Sequence, residues 1–168
     1  MALQRMDIHT IVVGDGPISS LIVLRTRVAE GEQPTQLPIR IGRVEAAAIS
    51  MGVGRNPESR PMTHDLLRDV IVKLGATLLS VAIVDVQGTT FFARLILETP
   101  SGEHPEIDCR PSDAIALAVR MRVPILADDR VLERATLPDF KGVERAEKDL
   151  ELERFHDFVE SLSPEDFV

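Results

Sequence analysis

The sequence is poor in cysteine and in aromatic residues. Cys109 is its one cysteine, so the chain has neither an internal disulfide nor a cluster of thiolate metal ligands. Trp and Tyr are absent and Phe occurs six times, whereas Val, Ile, Leu and Ala recur throughout. We therefore expect a core of aliphatic side chains in a cytoplasmic protein.

Long apolar runs are also missing. No stretch approaches the roughly 18 residues that a membrane-spanning helix needs, and residues 1–7 lack the long apolar core of a signal peptide. These absences predict a cytoplasmic location and no membrane partner. The 168 residues, of which 44% are hydrophobic, suffice for one domain with an extension but not for two full domains.

The common catalytic and nucleotide-binding motifs are absent. There is no glycine-rich phosphate loop ending in Gly-Lys-Ser/Thr, no HExxH pair and no G-x-S-x-G turn. The sequence therefore excludes the P-loop, zincin and nucleophile-elbow classes. Any active site has to be built from another arrangement of polar residues.

The negative charge is concentrated at the C-terminus. The net charge is −8, of which residues 144–168 carry −6, with nine acidic and three basic residues, and residues 1–143 carry −2. A body so nearly neutral lacks the basic surface of proteins that bind nucleic acid non-specifically. A nucleic-acid partner would have to be held by a local site.

Hydrophobic patterning predicts an α+β fold, with a mixed or antiparallel sheet built from hairpins and with short helices packed on it. The predicted strands are residues 6–13, 18–26, 36–41, 77–86, 89–99, 106–109 and 124–127. Pro38 suits a strand at the edge of the sheet. We expect this domain to span residues 1–143, followed by an acidic amphipathic helical tail at 144–168, whose apolar side consists of Leu152, Phe155, Phe158, Val159 and Leu162.

Three helices are predicted within the domain. One covers residues 43–51, and a second, 114–121, is apolar almost all round and must be buried. A third begins at Thr63 as N-cap and ends before Gly75. Its predicted buried stripe consists of Leu66, Leu67, Val70, Ile71 and Leu74. His64 lies at the edge of this stripe and Asp65 almost opposite to it.

Polar residues gather at two helix starts, residues 63–65 and 108–113. A helix N-terminus presents unpaired N–H groups and a partial positive charge, so Thr63 and Ser112 are candidate phosphate contacts and Arg110 a bidentate donor beside them. The commoner alternative is that Thr63 and Ser112 or Asp113 cap helices. Arg110 would then pair with Asp108 or Asp113.

His64 has the chemistry of a general base or a metal ligand, and nearby carboxylates suit a hard divalent cation, Mg²⁺ or Mn²⁺. The candidate carboxylates are Glu45, Asp65, Asp108 and Asp113. The alternative for His64 is a half-buried structural residue. Cys109 is either a thiol activated by Arg110 or, as we favour, a buried strand cysteine.

The same segments resemble the signatures of the bifunctional nuclease family. The matching segments are residues 37–42 with 45–49, residues 61–67, residues 91–95 and, most specifically, residues 109–118, which read CRPSDAIALA. They follow the family's order across roughly residues 6–133. The end of the tail, residues 155–167, is similar to bacterial members.

The resemblance implies an α+β domain that assembles as a homo-oligomer and hydrolyses phosphodiester bonds in RNA and DNA, the activity of plant members. Under this hypothesis His64, Asp65 and Asp113 are catalytic, Arg110 grips the phosphate, and Glu45 and Asp108 hold a divalent ion. The alternative hypothesis is a non-catalytic oligomeric module that recruits a partner through its acidic tail.

Overall fold

The computed structural model describes residues 2–13, 20–29, 32–53 and 60–136. These residues form seven strands and four helices: β1 Leu3–Val12, β2 Ser20–Thr26, β3 Gln36–Ile41, α1 Arg43–Val53, α2 Thr63–Lys73, β4 Thr77–Gln87, β5 Thr90–Glu98, β6 Glu106–Cys109, α3 Pro111–Met121, β7 Ile125–Asp128 and α4 Asp129–Thr136. All of them belong to the unit Met1–Thr136. The predicted tail helix and the predicted boundary after residue 143 lie outside the described residues.

The strands form one mixed sheet in the order β3-β2-β1-β7-β4-β5-β6. Strands β1 to β3 make one antiparallel meander and β4 to β6 make another. Strand β7 joins the two, antiparallel to β1 and parallel to β4. The last strand of the described residues therefore lies in the middle of the sheet, and the predicted α+β class is confirmed.

The predicted hairpins are confirmed, with small changes at their ends. β4 and β5 pair up to Gln87 and Thr90, and Gly88 has a φ of 59°, a left-handed conformation that glycine adopts without steric cost. β1 starts three residues earlier than predicted, because Leu3 to Met6 pair with β7. β3 is an edge strand, as Pro38 predicts.

Helix α3 is the centre of the helical layer. It contacts α1 and α2 and packs on β4 and β5. Its apolar residues from Ala114 to Ala118 are all buried, which confirms the prediction for this helix. The helix begins earlier than predicted, with Pro111 as its first residue and Arg110 as its N-cap, because proline suits a position where no N–H bond is needed.

The predicted burial of the α2 stripe is wrong. Ile71 is buried, but the other four stripe residues, Leu66, Leu67, Val70 and Leu74, are exposed. The opposite side of α2 packs against α3 instead, and it does so through polar contacts described below. The predicted N-cap is also wrong: Met62 is the N-cap, and the carboxylate of Asp65 accepts a hydrogen bond of 3.1 Å from its N–H.

All four described helices are short, with 8 to 11 residues each. In the part of the chain that the structure describes, no helix has the length and apolar character that crossing a membrane would require.

Candidate active site

The first turns of three helices meet at one place. β3 leads through Gly42 directly into α1, and β6 leads through Arg110 directly into α3. Because α3 packs against both α1 and α2, the first-turn side chains of all three helices approach one another. These side chains are Glu45 on α1, His64 on α2 and Asp113 on α3.

His64 and Asp113 form a hydrogen-bonded pair. His64 Nε2 lies 3.1 Å from Asp113 Oδ1, although the two residues are 49 positions apart in the chain. An ionised carboxylate only accepts hydrogen bonds, so Nε2 carries the proton of the neutral ring and Nδ1 keeps the lone pair. The imidazole is mostly covered, with 16% of its side-chain surface exposed. A histidine held in this way has the orientation that a general base requires.

Arg110 links Asp113 to Glu45. Its Nε donates to Asp113 Oδ2 at 2.8 Å, its Nη2 donates to Asp113 Oδ1 at 3.1 Å, and its Nη1 donates to Glu45 Oε1 at 3.1 Å. Three of the roughly five N–H donors of a guanidinium are thus engaged. Because 66% of the Arg110 side chain is exposed, the remaining donors are accessible to a ligand.

The electrostatics of Asp113 follow from these contacts. The hydrogen bond from Arg110 lowers the pKa of the Asp113 carboxyl below its ordinary value, against the opposing effect of burial. The hydrogen bond from His64 lowers this pKa further. Asp113 is therefore held as an anion, which is the form that orients a proton-donating His64 Nε2.

This depressed pKa predicts a pH dependence of stability. An acid with a lowered folded-state pKa stabilises the fold above its unfolded pKa, and this contribution is lost as the pH falls through the folded value. We expect the difference in unfolding free energy between the wild type and Asp113→Asn to be constant near neutral pH and to shrink below about pH 4. Urea denaturation between pH 2.5 and about pH 7 measures this difference. A difference that does not change with pH would contradict the ion pair.

An open cleft of about 280 Å³ borders this cluster. Arg110, Ser112 and Glu45 line one part of it, and Arg40 and Gly42 line another. The first residues of α1 and α3 thus both adjoin the cleft, and helix N-termini attract anions. A Cβ at position 42 would collide with the Glu45 carboxylate, so Gly42 leaves room for this side chain. The remaining wall is formed by Ile39, Ile41, Thr89, Thr90, Phe91 and Pro111.

Asp65, although next to His64 in sequence, belongs to a different cluster. Its Oδ1 accepts a hydrogen bond of 3.0 Å from Nε of Arg120, whose side chain is only 2% exposed. Arg120 Nη1 also donates to the backbone oxygens of Ala48 and Ala116, each at 2.9 Å. Burial raises the pKa of Asp65, but the hydrogen bond from Met62 and the charge of Arg120 outweigh it, and the net pKa lies below the ordinary value.

Two further candidates lie apart from these contacts. Thr63 is exposed at the first position of α2. Asp108 is exposed on β6, where its backbone is opposite Arg94 on β5. The candidates that the structure brings together are therefore His64, Asp113, Arg110 and Glu45, with Ser112 in the adjoining cleft.

Sequence reasoning missed two residues that shape this region, Gly42 and Arg120. Arg120 carried a recognisable signal, because one arginine inside an otherwise apolar helix that must be buried requires a hydrogen-bonding partner. Gly42 had a weaker signal, as a glycine between a strand and a helix also fits a simple turn.

The thiol of Cys109 is not activated. Partial burial raises its pKa to about 11, and the charges of Asp113 and Asp108 add to the effect. We expect slow alkylation by iodoacetamide at pH 8, and a rate that increases about twofold in Asp108→Asn because a nearby negative charge is removed. Glu106→Gln, on the same exposed strand, is the matched control. Fast alkylation of the wild type at pH 8 would contradict the raised pKa.

The residues of this cluster can be compared with the side chains that usually bind a divalent cation. In the described segments, no group of three or more His, Cys, Asp or Glu side chains is placed to hold a metal ion. Mg²⁺ often takes only one or two protein carboxylates and completes its shell with water and phosphate oxygens. Asp113 and Glu45 are the carboxylates that lie beside Arg110. The predicted Mg²⁺ or Mn²⁺ stays a prediction.

The fold and the cluster around Arg110 define the class of protein. It is an α+β domain with an oriented histidine and an arginine where three helices begin. Comparison with protein families agrees with the resemblance in the sequence. The model of the bifunctional nuclease domain matches residues 22–139, and the chain belongs to this family.

Relatives of the chain occur in bacteria and plants. Uncharacterized protein MT1877 and Uncharacterized protein Rv1829, from two strains of Mycobacterium tuberculosis, are each 43% identical over 149 residues, which is 86% of this chain and 87% of theirs. Bifunctional nuclease 2 of Oryza sativa subsp. japonica is 32% identical over 102 residues, or 59% of this chain. This match covers 31% of the rice protein.

Proposed function

We propose that the protein hydrolyses phosphodiester bonds in RNA or DNA beside the cleft at the helix starts. The observation that carries this proposal is the hydrogen bond between His64 and Asp113, which joins two separate signature segments of the family. A histidine oriented by a carboxylate is an established device for activating a hydroxyl group or a water molecule.

In this mechanism His64 is the general base. Its Nδ1 lone pair takes a proton from the water that attacks phosphorus, and Asp113 stabilises the imidazolium that forms. The bond from phosphorus to the leaving ester oxygen breaks, and this oxygen takes a proton from solvent. The proton remains on Nε2 throughout this step, because Asp113 with its depressed pKa is a weak base. Asp113 thus acts as a positioning residue, and His64 acts on the reacting water.

Arg110 is the proposed phosphate contact. Asp113 Oδ1 lies 3.1 Å from both His64 Nε2 and Arg110 Nη2, so one carboxylate oxygen holds the histidine and the arginine together. The first turn of α3, including Ser112, adds the positive end of a helix dipole. Glu45 and Asp113 neutralise Arg110, which explains why a divalent cation bound with the substrate would aid catalysis.

The decisive experiment measures turnover with the full chain. Fluorescently labelled single-stranded RNA and DNA are incubated with wild type and His64→Ala in parallel purifications, with Mg²⁺, Mn²⁺ or a chelator. We expect cleavage by the wild type and its loss in the variant, which also excludes a contaminating nuclease. Equal, negligible turnover by both proteins in every condition would end the proposal.

A further inference from the structure

A second open cleft, of about 320 Å³, lies at the opposite end of α3 from the candidate active site. We call it the Arg5–Arg122 cleft, because these two residues line it from β1 and from the end of α3. Asp7 is its third charged lining residue. The rest of the lining is apolar and includes Ile8, Val119, Val123 and Pro124. The proposed cleavage reaction makes no use of this cleft.

Positive charge is in excess around the Arg5–Arg122 cleft. Asp7 is already engaged by Arg27, whose Nε donates to Oδ2 at 3.0 Å and whose Nη2 donates to Oδ1 at 2.6 Å. This hydrogen bonding lowers the pKa of Asp7, and the charges of Arg25 and Arg5 add to the effect. One carboxylate therefore lies among three arginines, and Arg122 brings a fourth. The excess is three positive charges, in a chain whose net charge is −8.

The side chains of Arg5 and Arg122 are available to a ligand. Both are exposed, and within residues 2–13, 20–29, 32–53 and 60–136 neither side chain has a hydrogen bond or an ion pair. A guanidinium presents its N–H donors in a planar fork that matches the oxygens of a phosphate group. Two such forks at one cleft suit an anion that has several oxygen atoms and more than one negative charge.

The backbone of Arg122 is a further observation in favour of a ligand. Arg122 ends α3 with a φ of 57° and a ψ of 40°, and it is the only non-glycine residue with a positive φ in the part of the chain that the structure describes. Glycine is the usual residue in this conformation, because a Cβ makes it less favourable. A side chain kept at such a position is often one that a site needs. The simpler alternative is that Arg122 only complements the negative end of the helix dipole.

We propose that the Arg5–Arg122 cleft binds an organic phosphate monoester, with the phosphate on the two arginines and an apolar or aromatic body against the apolar lining. A phosphate monoester carries a charge of about −1.5 to −2 at pH 7, whereas a phosphodiester carries one negative charge, so two arginines favour the monoester. This group occurs both in a free mononucleotide and at the phosphorylated end of a nucleic-acid strand. The proposal does not depend on cleavage at the helix starts.

The first test measures the melting temperature of the full chain with adenosine monophosphate or with adenosine. We expect the monophosphate to raise Tm by about 3 °C at a concentration about tenfold above its Kd, and adenosine to have no effect. Arg5→Ala and Arg122→Gly should each abolish this rise. Arg122→Gly should remain folded, because glycine suits the left-handed conformation. If Arg122 serves only the helix dipole, this variant keeps the full rise, which overturns the proposal.

Two control variants locate the effect. Arg94→Ala removes an exposed arginine on β5, outside the cleft, and should keep the rise in Tm. Arg110→Ala changes the candidate active site and should also keep it. A rise that is lost in Arg110→Ala but kept in Arg5→Ala would assign the phosphate to the other cleft and overturn the proposal. So would a wild type whose Tm responds equally to adenosine and to its monophosphate.

The second test distinguishes the two sources of the phosphate. Internally labelled strands of 12 nucleotides, with a phosphate at the 5′ end, at the 3′ end or at neither, are titrated by fluorescence anisotropy in the His64→Ala background. Binding that is about tenfold tighter for one phosphorylated strand, and no tighter once Arg122→Gly is added, identifies the strand end as the ligand. Equal binding of all three strands, beside a rise in Tm with the monophosphate, identifies the free mononucleotide. Tighter binding that persists in Arg122→Gly overturns the assignment of the strand end to this cleft.

Discussion

We expect His64→Ala and Asp113→Asn each to lower kcat/KM for phosphodiester cleavage by about 100-fold or more, and the double variant to be no slower than the slower single variant. The reason is that the two residues act as one unit. Asp113 orients the ring through the 3.1 Å bond to Nε2, so its replacement has little further effect once the imidazole is gone. Initial rates at several concentrations of a labelled oligonucleotide give kcat/KM for the wild type, the two single variants and the double variant, which together form a double-mutant cycle.

The control for this cycle is His104→Ala. The His104 side chain is 57% exposed and lies 4.0 Å from Glu98, away from the helix starts, and its removal should leave kcat/KM unchanged. Two independent losses that multiply in the double variant would show that Asp113 does not act through His64. An Asp113→Asn variant with full activity would show that the carboxylate of Asp113 has no role in the mechanism.

We expect Arg120→Ala to lower the free energy of unfolding by about 3 kcal/mol. The Arg120 side chain is almost completely buried, and its loss removes the guanidinium that is hydrogen-bonded to Asp65, leaving Arg68 at 3.9 Å from this carboxylate. It also removes the hydrogen bond to Ala48, which ties α1 to α3, and leaves a cavity between the helices. Urea denaturation at pH 7 measures this loss of stability. It is calculated from the shift of the denaturation midpoint, provided that the slope of unfolding free energy against urea concentration is unchanged.

The comparison for Arg120 is Arg94→Ala. Arg94 donates a hydrogen bond of 2.6 Å to Glu106, but both side chains are about half exposed, and such surface pairs contribute less than about 1 kcal/mol. Equal losses in the two variants would contradict the view that burial makes the Arg120 cluster important. The difference in unfolding free energy between Arg120→Ala and Arg94→Ala is therefore the quantity that tests this view.

The polar contacts of α2 belong to two clusters, His64 with Asp113 and Asp65 with Arg120. We expect the first to serve function and the second to serve stability. Adjacent residues, His64 and Asp65, contact opposite ends of α3, and only the first of these contacts is linked through Arg110 to the cleft. An arginine that is 2% exposed supports the helices, whereas Arg110, which is 66% exposed, lines the cleft. Arg120→Ala is thus expected to affect stability first, and His64→Ala to affect turnover.

Local sequence was sufficient for the seven strands and for three of the four helices that the structure describes, but not for α4. The limits of β3 and β6 agree with the predicted residues 36–41 and 106–109, and both hairpins are present. Side-chain alternation, turn residues and the position of proline act over a few residues, so one sequence displays them directly. The chemistry of the site was also visible in part, because His64, Arg110 and Asp113 are polar residues at helix starts.

Tertiary packing decided which of these residues meet. Periodicity showed that α2 has an apolar stripe, but the side that faces the protein is set by the neighbouring helix, and here α3 offers polar partners to the opposite side. Likewise, Asp113 meets a histidine 49 residues away, and Asp65 meets an arginine 55 residues away, because three helices pack in one layer. Short-range preferences act within each segment, whereas these contacts depend on how separate segments come together in space.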